Sequence, residues 1–341
     1  MLIVALIICF LIGYLFIHNI ILEKYNYTGI KPIDTRMINI GPFILENEKK
    51  IYIYNPSILN DNGKILYTAR ISGNRNNTTL IKNFNYKSNI NINREFNNNL
   101  HNFEDSSIII WEKEDDFQIR SPFKKNNLNL KANFQGIEDP RLFKYLNDIW
   151  IYAHYRGNID NSFVHRPIIF KLSDMKIIYL TCSLTTNNKM EKNWMPFVYE
   201  NKLFFEYSID PHIIILCDIN TGHCKEIYKT YTEIKFSKNI GGGAPSQLIN
   251  YNGTQCFLGV GHTRHKGRFS FFYLYENKPP FKIFKRTEEF KIDNNEKIKV
   301  EFTSGLTVVD NLVTITYGIN DCCGAISKFK LTNIIENMEN C

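Results

Sequence analysis

The sequence predicts an all-β fold, a five-bladed β-propeller, preceded by one N-terminal transmembrane helix. Three observations lead to this prediction. Residues 1–17 carry no charge. From about residue 46 onward, short runs rich in Ile, Tyr, Phe and Val alternate with Asn, Asp and Gly turns, which is typical of strands rather than helices. Five stretches with the same order of features recur along that part.

Residues 1–22 are predicted to be a transmembrane signal anchor. The apolar run continues through Ile20 to Leu22 before the charged Glu23, and about 20 apolar residues span a bilayer as a helix. A cleaved signal peptide normally starts with basic residues and ends at a small-residue cleavage site. Neither feature is present, so an uncleaved anchor is favoured. Residues 23–45 would then be a stem, residues 46–341 the propeller, and the chain a single-pass membrane protein.

Composition and residue spacing limit the classes of function that the sequence predicts. Lys and Arg number 41 against 34 Asp and Glu, a formal charge of +7. The basic residues form no block, so no nucleic-acid partner is predicted. No Cys or His spacing is typical of a metal site, and no Gly-rich nucleotide loop is present, so no metal or cofactor is predicted. Cys217 and Cys224 flank a hairpin turn, and both a disulfide and two buried thiols remain open there.

The recurring unit consists of a polar opening, a strand, an Asn, Asp or Gly turn, and a second strand with a polar end. The five units cover residues 54–70, 138–156, 192–208, 241–262 and 302–321. Repeats of this kind form the blades of a propeller, whose inner strands begin around one mouth of a central channel. The alternative, a β-sandwich, does not explain five similarly placed polar openings.

The most specific motif is Gly136-Ile137-Glu138-Asp139-Pro140-Arg141-Leu142. It resembles the Glu-Asp-Pro-Arg signature of glycoside hydrolase family 130, the β-mannoside phosphorylases and mannosidases, and of related β-mannosyltransferases. The resemblance covers roughly residues 50–330, and the other openings agree in order and character. It implies a five-bladed propeller in which Asp139 is the proton donor, acting through a sugar hydroxyl on the glycosidic oxygen. A structural Asp-Pro turn with an Arg salt bridge is the alternative.

Strand geometry predicts different positions for the two adjacent carboxylates. Successive residues of a strand point to opposite faces, so Glu138 and Asp139 are not expected to project into the same space. They would therefore not be the paired carboxylates of an ordinary glycosidase. One would face the funnel, and the other would hold backbone or Arg141.

A group of cationic residues at matching ends of the units predicts a pocket for phosphate or an anionic donor. These residues are Arg70, Arg141, Lys192, His262 and Arg264. Hydrolytic relatives carry extra carboxylates in such a pocket, so the Lys and His here disfavour hydrolysis. Each cation taken alone is better explained as a solvated surface charge.

A second group of polar or aromatic residues is predicted to bind the sugar. It comprises Asn55, Glu138, Trp194, Asp210 and Asp321. Trp194 has an aromatic face for a pyranose ring, although a buried propeller tryptophan is the alternative. Asp210 is equally explained by an Asp-Pro turn.

These observations predict an enzyme that makes or phosphorolyses a glycosidic bond, in particular a β-mannoside. Its partners would be an oligosaccharide or glycoconjugate acceptor, together with phosphate, a sugar phosphate or a nucleotide sugar. Anchorage in a membrane favours transfer and a lumenal or extracellular domain. The alternatives are a non-catalytic glycan-binding propeller and a hydrolase of the same fold, including the invertase type, which shares only one Asp-Pro pair with this chain.

Overall fold

The computed structural model describes residues 29–38, 43–44, 50–73, 106–113, 116–120, 136–159, 162–185, 193–233, 236, 239–263, 269–295 and 298–341. The first strands are β1 (Asp34–Ile38), β2 (Phe43–Ile44), β3 (Lys50–Asp61), β4 (Lys64–Gly73), β5 (Ser106–Lys113), β6 (Asp116–Arg120), β7 (Gly136–Tyr145), β8 (Asp148–Ile159), β9 (Ser162–Lys171), β10 (Ile177–Tyr179), β11 (Thr181–Cys182) and β12 (Met195–Tyr199). The others are β13 (Lys202–Ser208), β14 (His212–Cys217), β15 (His223–Thr230), β16 (Ile240–Gly242), β17 (Gln247–Tyr251), β18 (Thr254–Thr263), β19 (Ser270–Glu276), β20 (Ile283–Thr287), β21 (Glu301–Val309), β22 (Leu312–Ile319), β23 (Cys323–Lys330) and β24 (Met338–Asn340), with one described helix, α1 (Leu331–Glu336).

The strands form five antiparallel blades, which confirms the predicted propeller. Blade 1 contains β3 to β6, blade 2 contains β7 to β10, and blade 3 contains β12 to β15, with the short β11 paired to β15 at its outer edge. In blade 4 the broken inner strand β16 and β17 pairs with β18, followed by β19 and β20. Blade 5 contains β21, β22 and β23, with β1 as its outer strand. Each of the five units read from the sequence supplies the first two strands of one blade.

The two ends of the described chain complete blades that belong to other parts of the sequence. β1 pairs with β23, and the Thr35 and Ser327 hydroxyls lie 2.7 Å apart across this pair. β24 pairs with β20 at the outer edge of blade 4. Residues 34–38, which were predicted to belong to a stem, are therefore a strand of the propeller.

The predicted single-pass membrane topology is contradicted. No helix within the described ranges is long and apolar enough to cross a bilayer, and α1 spans only Leu331–Glu336. Residues 1–22, to which the anchor was assigned, lie outside the described residues. The localisation derived from this anchor loses its support with it.

Large aromatic side chains fill the spaces between blades. Between blades 2 and 3, Phe143, Trp150 and Phe205 pack in one buried cluster. Between blades 3 and 4, the rings of Phe197 and Phe257 meet at 5.1 Å. Full burial of such a side chain stabilises a fold by about 1.5–3 kcal/mol. The blades are thereby held at fixed positions around the mouth.

A buried polar network also joins blades 3 and 4. The fully buried carboxylate of Glu206 accepts hydrogen bonds from Ser246 Oγ at 2.6 Å and from Tyr273 OH at 2.7 Å. His212 Nε2 lies 3.0 Å from the same carboxylate. Because the carboxylate is satisfied by side chains of both blades, this network is a structural link.

Candidate functional site

Strand register gathers the polar openings of the five units on one face of the propeller. The start of each inner strand pairs with the end of the next strand, as in Glu138 with His154 and Gly241 with His262. The turns that follow those second strands lie on the same face, which we call the mouth. Asp210 and Asp321 lie in two of these turns.

Two matching β-bulges shape the openings of blades 1 and 2. In each, two residues face one on the neighbouring strand: the register shifts between Tyr54 and Ser57, and between Glu138 and Arg141. The first bulged residues, Asn55 and Asp139, have φ of 52° and 51°. Each precedes a proline, a position that normally favours an extended backbone. Backbone strain of this kind is concentrated at functional sites.

The bulges bring Asn55 and Asp139 into direct contact. Asn55 Nδ2 donates to Asp139 Oδ1 at 2.7 Å, and Arg70 Nη1 donates to the same oxygen at 3.4 Å. Arg70 Nη2 donates to Glu138 Oε1 at 2.7 Å. The prediction that Glu138 and Asp139 occupy different spaces is therefore wrong, because the bulge interrupts the alternation and both carboxylates contact one guanidinium.

This acid cluster is nearly shielded from solvent. Asp139 is 8% exposed, Glu138 6% and Arg70 3%. Burial alone would lower the pKa of Arg70, but Tyr54, Glu138 and Asp139 together raise it, so the guanidinium stays charged. The charge of Asp321 acts in the same direction, so this aspartate lies in the electrostatic neighbourhood of the cluster.

Arg141 has a different environment from Arg70. Its guanidinium donates to Trp194 O at 2.6 Å, to Gly242 O at 3.1 Å and to Asn193 Oδ1 at 3.2 Å. It is fully buried, and burial lowers its pKa. These contacts connect blade 2 to the openings of blades 3 and 4. Arg141, which was predicted to bind phosphate, thus holds these openings in position through its contacts in the structure.

His262 lies at the end of β18 that faces the mouth, in blade 4. Its ring is fully buried and meets Phe302 edge to face at 5.0 Å, while the guanidinium of Arg141 lies 6.0 Å from the same phenyl ring. A Cβ at Gly241 would lie 2.8 Å from His262 Nε2. Glycine at the opening of blade 4 therefore leaves the space that this imidazole occupies.

The remaining predicted residues fall into three groups. Trp194 is fully buried and packs on Phe205, so the structure shows the buried tryptophan that was the alternative to a sugar platform. Asp210 and Asp321 are half-buried in turns at the mouth. Lys192 and Arg264 lie outside the described residues.

One residue near the acid cluster was not predicted. His154 is 2% exposed, and its Nδ1 lies 3.9 Å from Glu138 Oε2. Across its blade it pairs with Glu138, just as Arg70 pairs with Tyr54 and His262 with Gly241. The sequence feature that could have indicated His154 is a basic residue near the end of the second strand in three units, namely Arg70, His154 and His262.

The fold and the mouth together define a class of protein: a five-bladed β-propeller with carboxylates and basic side chains gathered at one end of its channel. No protein-family model matches the sequence. No curated protein sequence matches it either.

Solved structures of the same fold are found among enzymes that act on mannosides. A β-1,2-mannobiose phosphorylase from Listeria innocua, in complex with β-1,2-mannobiose, is 15% identical with a TM-score of 0.55, over 91% of this chain and 97% of that one. A mannose phosphorylase from Leishmania mexicana, in complex with phosphate ion, is 9% identical with a TM-score of 0.52, over 95% and 96%.

A third structure comes from a study of glycoside hydrolase family 130, whose members include hydrolases that target β-1,2-mannosidic linkages in Candida mannan. It is 13% identical with a TM-score of 0.50, over 89% of this chain and 92% of that one. Identities this low establish the fold. The resemblance to glycoside hydrolase family 130 is confirmed at that level.

Proposed function

We propose that this protein is a carbohydrate-active enzyme that phosphorolyses β-mannosidic bonds, or forms them in the reverse reaction, with Asp139 as the proton donor. The observation that carries the proposal is the acid cluster: a nearly buried carboxylate on a strained bulge at the mouth, held by Asn55 and Arg70. The fold shared with mannoside phosphorylases supports the choice of substrate class.

The hydrogen bonds of Asp139 assign its proton to one oxygen in this proposal. Asn55 and Arg70 both donate to Oδ1, so the transferable proton belongs on Oδ2.

The proposed reaction is a single displacement. A phosphate oxygen attacks the anomeric carbon, and the bond from that carbon to the glycosidic oxygen breaks. The leaving oxygen takes a proton that originates from Asp139 and is relayed by a sugar hydroxyl, as the family resemblance implies. One displacement inverts the anomeric carbon, so a β-mannoside gives α-mannose 1-phosphate.

In this proposal the anion is bound by the cations predicted from the sequence. Arg70 and Arg141 are engaged by protein groups and position the mouth, which leaves Lys192, His262 and Arg264 as proposed ligands of phosphate or a sugar phosphate. The sequence-based preference for glycosyl transfer rested on a membrane-anchored domain. The solved structures of the same fold include two phosphorylases, so we prefer phosphorolysis.

The test is a product analysis with the full chain. β-Mannobioses of different linkage are incubated with and without inorganic phosphate, and nucleotide-activated mannose is supplied in a parallel reaction. We expect mannose 1-phosphate, detected by mass, only when phosphate is present. Free mannose without phosphate would indicate a hydrolase, and product from the nucleotide sugar alone a transferase. Binding without turnover would indicate a glycan-binding propeller.

A further inference from the structure

Three cysteines of blade 3 lie in one row across neighbouring strands. Cys182 of β11 pairs with Cys224 of β15, and Cys224 pairs with Cys217 of β14. Residues paired directly on neighbouring strands point to the same face of a sheet, and such strands lie about 4.8 Å apart. The three sulfur atoms therefore share one face, with Cys224 in the middle.

The row already contains one disulfide. Cys217 is bonded to Cys224, as one of the two sequence-level alternatives predicted, whereas Cys182 is a thiol. Cys182 and Cys217 are each 5% exposed, and all three cysteines belong to the cluster between blades 2 and 3. A buried thiol thus lies beside a disulfide that it faces across the sheet.

A cavity gives solvent a route to this row. It has a volume of about 560 Å³, and its lining includes Cys217 together with Tyr145, Lys202, Asp218, His223 and Lys225. Its lining comes from the strand ends and turns opposite the mouth, so it is separate from the acid cluster. Its size falls within the usual range for small-molecule sites, about 300–1,000 Å³.

We propose that Cys182, Cys224 and Cys217 form a thiol–disulfide exchange site that opens into this cavity. The thiolate of Cys182 attacks the sulfur of Cys224, so the Cys182–Cys224 bond forms while the Cys217–Cys224 bond breaks. Cys217 leaves with the electron pair and ends with the proton that Cys182 lost. The exchange conserves electrons and needs no external oxidant or reductant.

The register of the strands supplies the order of sulfurs that this exchange needs. Attack on a disulfide requires the incoming, central and leaving sulfurs to lie nearly in line, and a row of three paired strands provides that order. Lys202 and Lys225 line the same cavity as Cys217, and cations in the surroundings of a cysteine stabilise its thiolate. The new disulfide closes a longer loop of chain than the old one, which restricts the unfolded state at least as strongly.

The same lining indicates what the released Cys217 would react with. Lys202 and Lys225 outnumber the single carboxylate of Asp218 in the lining, so the cavity has a net positive charge and favours an anionic partner. A small anionic disulfide, such as oxidised glutathione, would form a mixed disulfide with Cys217 and release its other half as a thiolate. The site would thereby be a point of reversible modification on the side away from the mouth.

Alkylation of the native full chain without reductant tests the exchange. After incubation with iodoacetamide and acid quenching, peptide mapping should find alkylated Cys217 together with a Cys182–Cys224 disulfide. Cys182→Ser should show neither product, and Cys182→Ala serves if the serine variant fails to fold. Cys256→Ser, which removes another buried thiol, should leave the labelling of Cys217 unchanged.

Two kinds of result would contradict this proposal. If Cys217 of the wild type stays unlabelled and bonded to Cys224, or if Cys182→Ser labels it at the same rate, the exchange does not occur. Oxidised glutathione should modify Cys217 about fivefold faster than the cationic disulfide cystamine, the scale of one exposed ion pair. Equal rates would contradict the assignment of an anionic partner.

Discussion

At the residue scale, the mouth depends on how one guanidinium is shared. Arg70 holds Glu138 and Asp139 with its two terminal nitrogens, while Asn55 adds a second donor to Asp139 Oδ1. The donors come from blade 1 and the carboxylates from blade 2. The acid group is therefore positioned by hydrogen bonds and ion pairs between blades 1 and 2. One substitution tests its chemistry, and another tests the stability of this contact.

Asp139→Asn tests the proposed proton donor. The amide oxygen can still accept from Asn55, so folding and ligand binding should be retained, but no proton can be transferred. Acid–base catalysis contributes about 10²- to 10⁴-fold, and kcat should fall by that factor with a natural leaving group. A substrate whose leaving group needs no protonation should recover much of the rate. Glu138→Gln should show no such recovery, and full turnover of Asp139→Asn would refute the assignment.

Arg70→Met tests the electrostatic balance of the cluster. Removal of one member of a buried ion pair leaves uncompensated charge and costs about 3–5 kcal/mol of unfolding free energy. Adding Glu138→Gln removes one of the two stranded carboxylates and should restore part of this loss, measured by denaturant titration. Lys144→Met, which breaks the more exposed pair with Asp61, should cost less than about 1 kcal/mol. Additive effects of the two cluster substitutions would contradict the coupling.

At the element scale, each blade depends on a tight turn between its first two strands. Asn62-Gly63 and Asn252-Gly253 suit positive φ, which those four residues adopt. The equivalent turn of blade 2 instead places Leu146 at φ 54°, with its side chain 52% exposed. A left-handed conformation costs a non-glycine residue roughly 1–2 kcal/mol, less for Asn.

Leu146→Asn should therefore stabilise the protein. Asparagine tolerates the left-handed region, and an exposed leucine contributes little packing, so the unfolding free energy should rise by about 1 kcal/mol. The matched control is Leu248→Asn, a 47% exposed leucine in the regular strand β17, which should give no gain. Equal changes in both variants, measured by urea unfolding, would show that the backbone angle is not the cause.

The connection between blades 4 and 5 depends on a buried carboxylate. Glu301 accepts the backbone N–H groups of Ile292 at 2.9 Å and Asp293 at 2.8 Å. Burial raises its pKa from 4.5 to about 7, although these two hydrogen bonds act in the opposite direction. The folded protein therefore holds the proton more tightly than the unfolded chain.

Stability should consequently fall as the pH rises from 4.5 to 7, because only the unfolded chain releases the Glu301 proton freely in this window. The shift corresponds to about 3 kcal/mol. In Glu301→Gln this contribution is absent, so wild type should lose about that much relative to the variant across the window. Denaturant titrations at several pH values measure the difference, and parallel pH profiles would exclude Glu301 as the titrating group.

The strands and turns of the five units could be predicted from the sequence, but the β-bulges within the strands could not. Hydrophobic alternation and Asn/Gly turns predicted the five units and the hairpin that pairs Cys217 with Cys224. Alternation failed at Asp139 because a bulge adds a residue to one strand, and the shared feature of Asn55-Pro56 and Asp139-Pro140 was the only hint. Arg141 was expected at a phosphate pocket, but the carbonyl groups that hold it belong to blades 3 and 4 and lie far away in the sequence, so no local pattern indicates them.

At the scale of the whole molecule, the ring of five blades is closed by β1, which precedes blade 1 in the sequence and pairs with blade 5. β1 pairs with β23 over five residues, so the last blade is complete only when residues 34–38 are in place. Blade 5 in turn supports blade 1, because Ser304 and Thr316 both donate to Pro56 O, beside the bulge that carries Asn55. Closure of the ring and geometry of the mouth are therefore linked through one carbonyl group.

Ile38→Ala should weaken this closure. Ile38 is the most buried residue of β1, 2% exposed, and lies against blade 5 opposite Gly324. Truncation of a buried isoleucine to alanine costs about 2–5 kcal/mol through lost burial and the cavity left behind. Ile33→Ala, at a 56% exposed isoleucine five positions earlier, should change stability by less than about 0.5 kcal/mol. Thermal unfolding compares the two. If β1 closes the ring, Ile38→Ala should also accelerate hydrogen exchange in β23 before β13, whereas uniform acceleration would mean that β1 contributes to stability without acting as the closing strand.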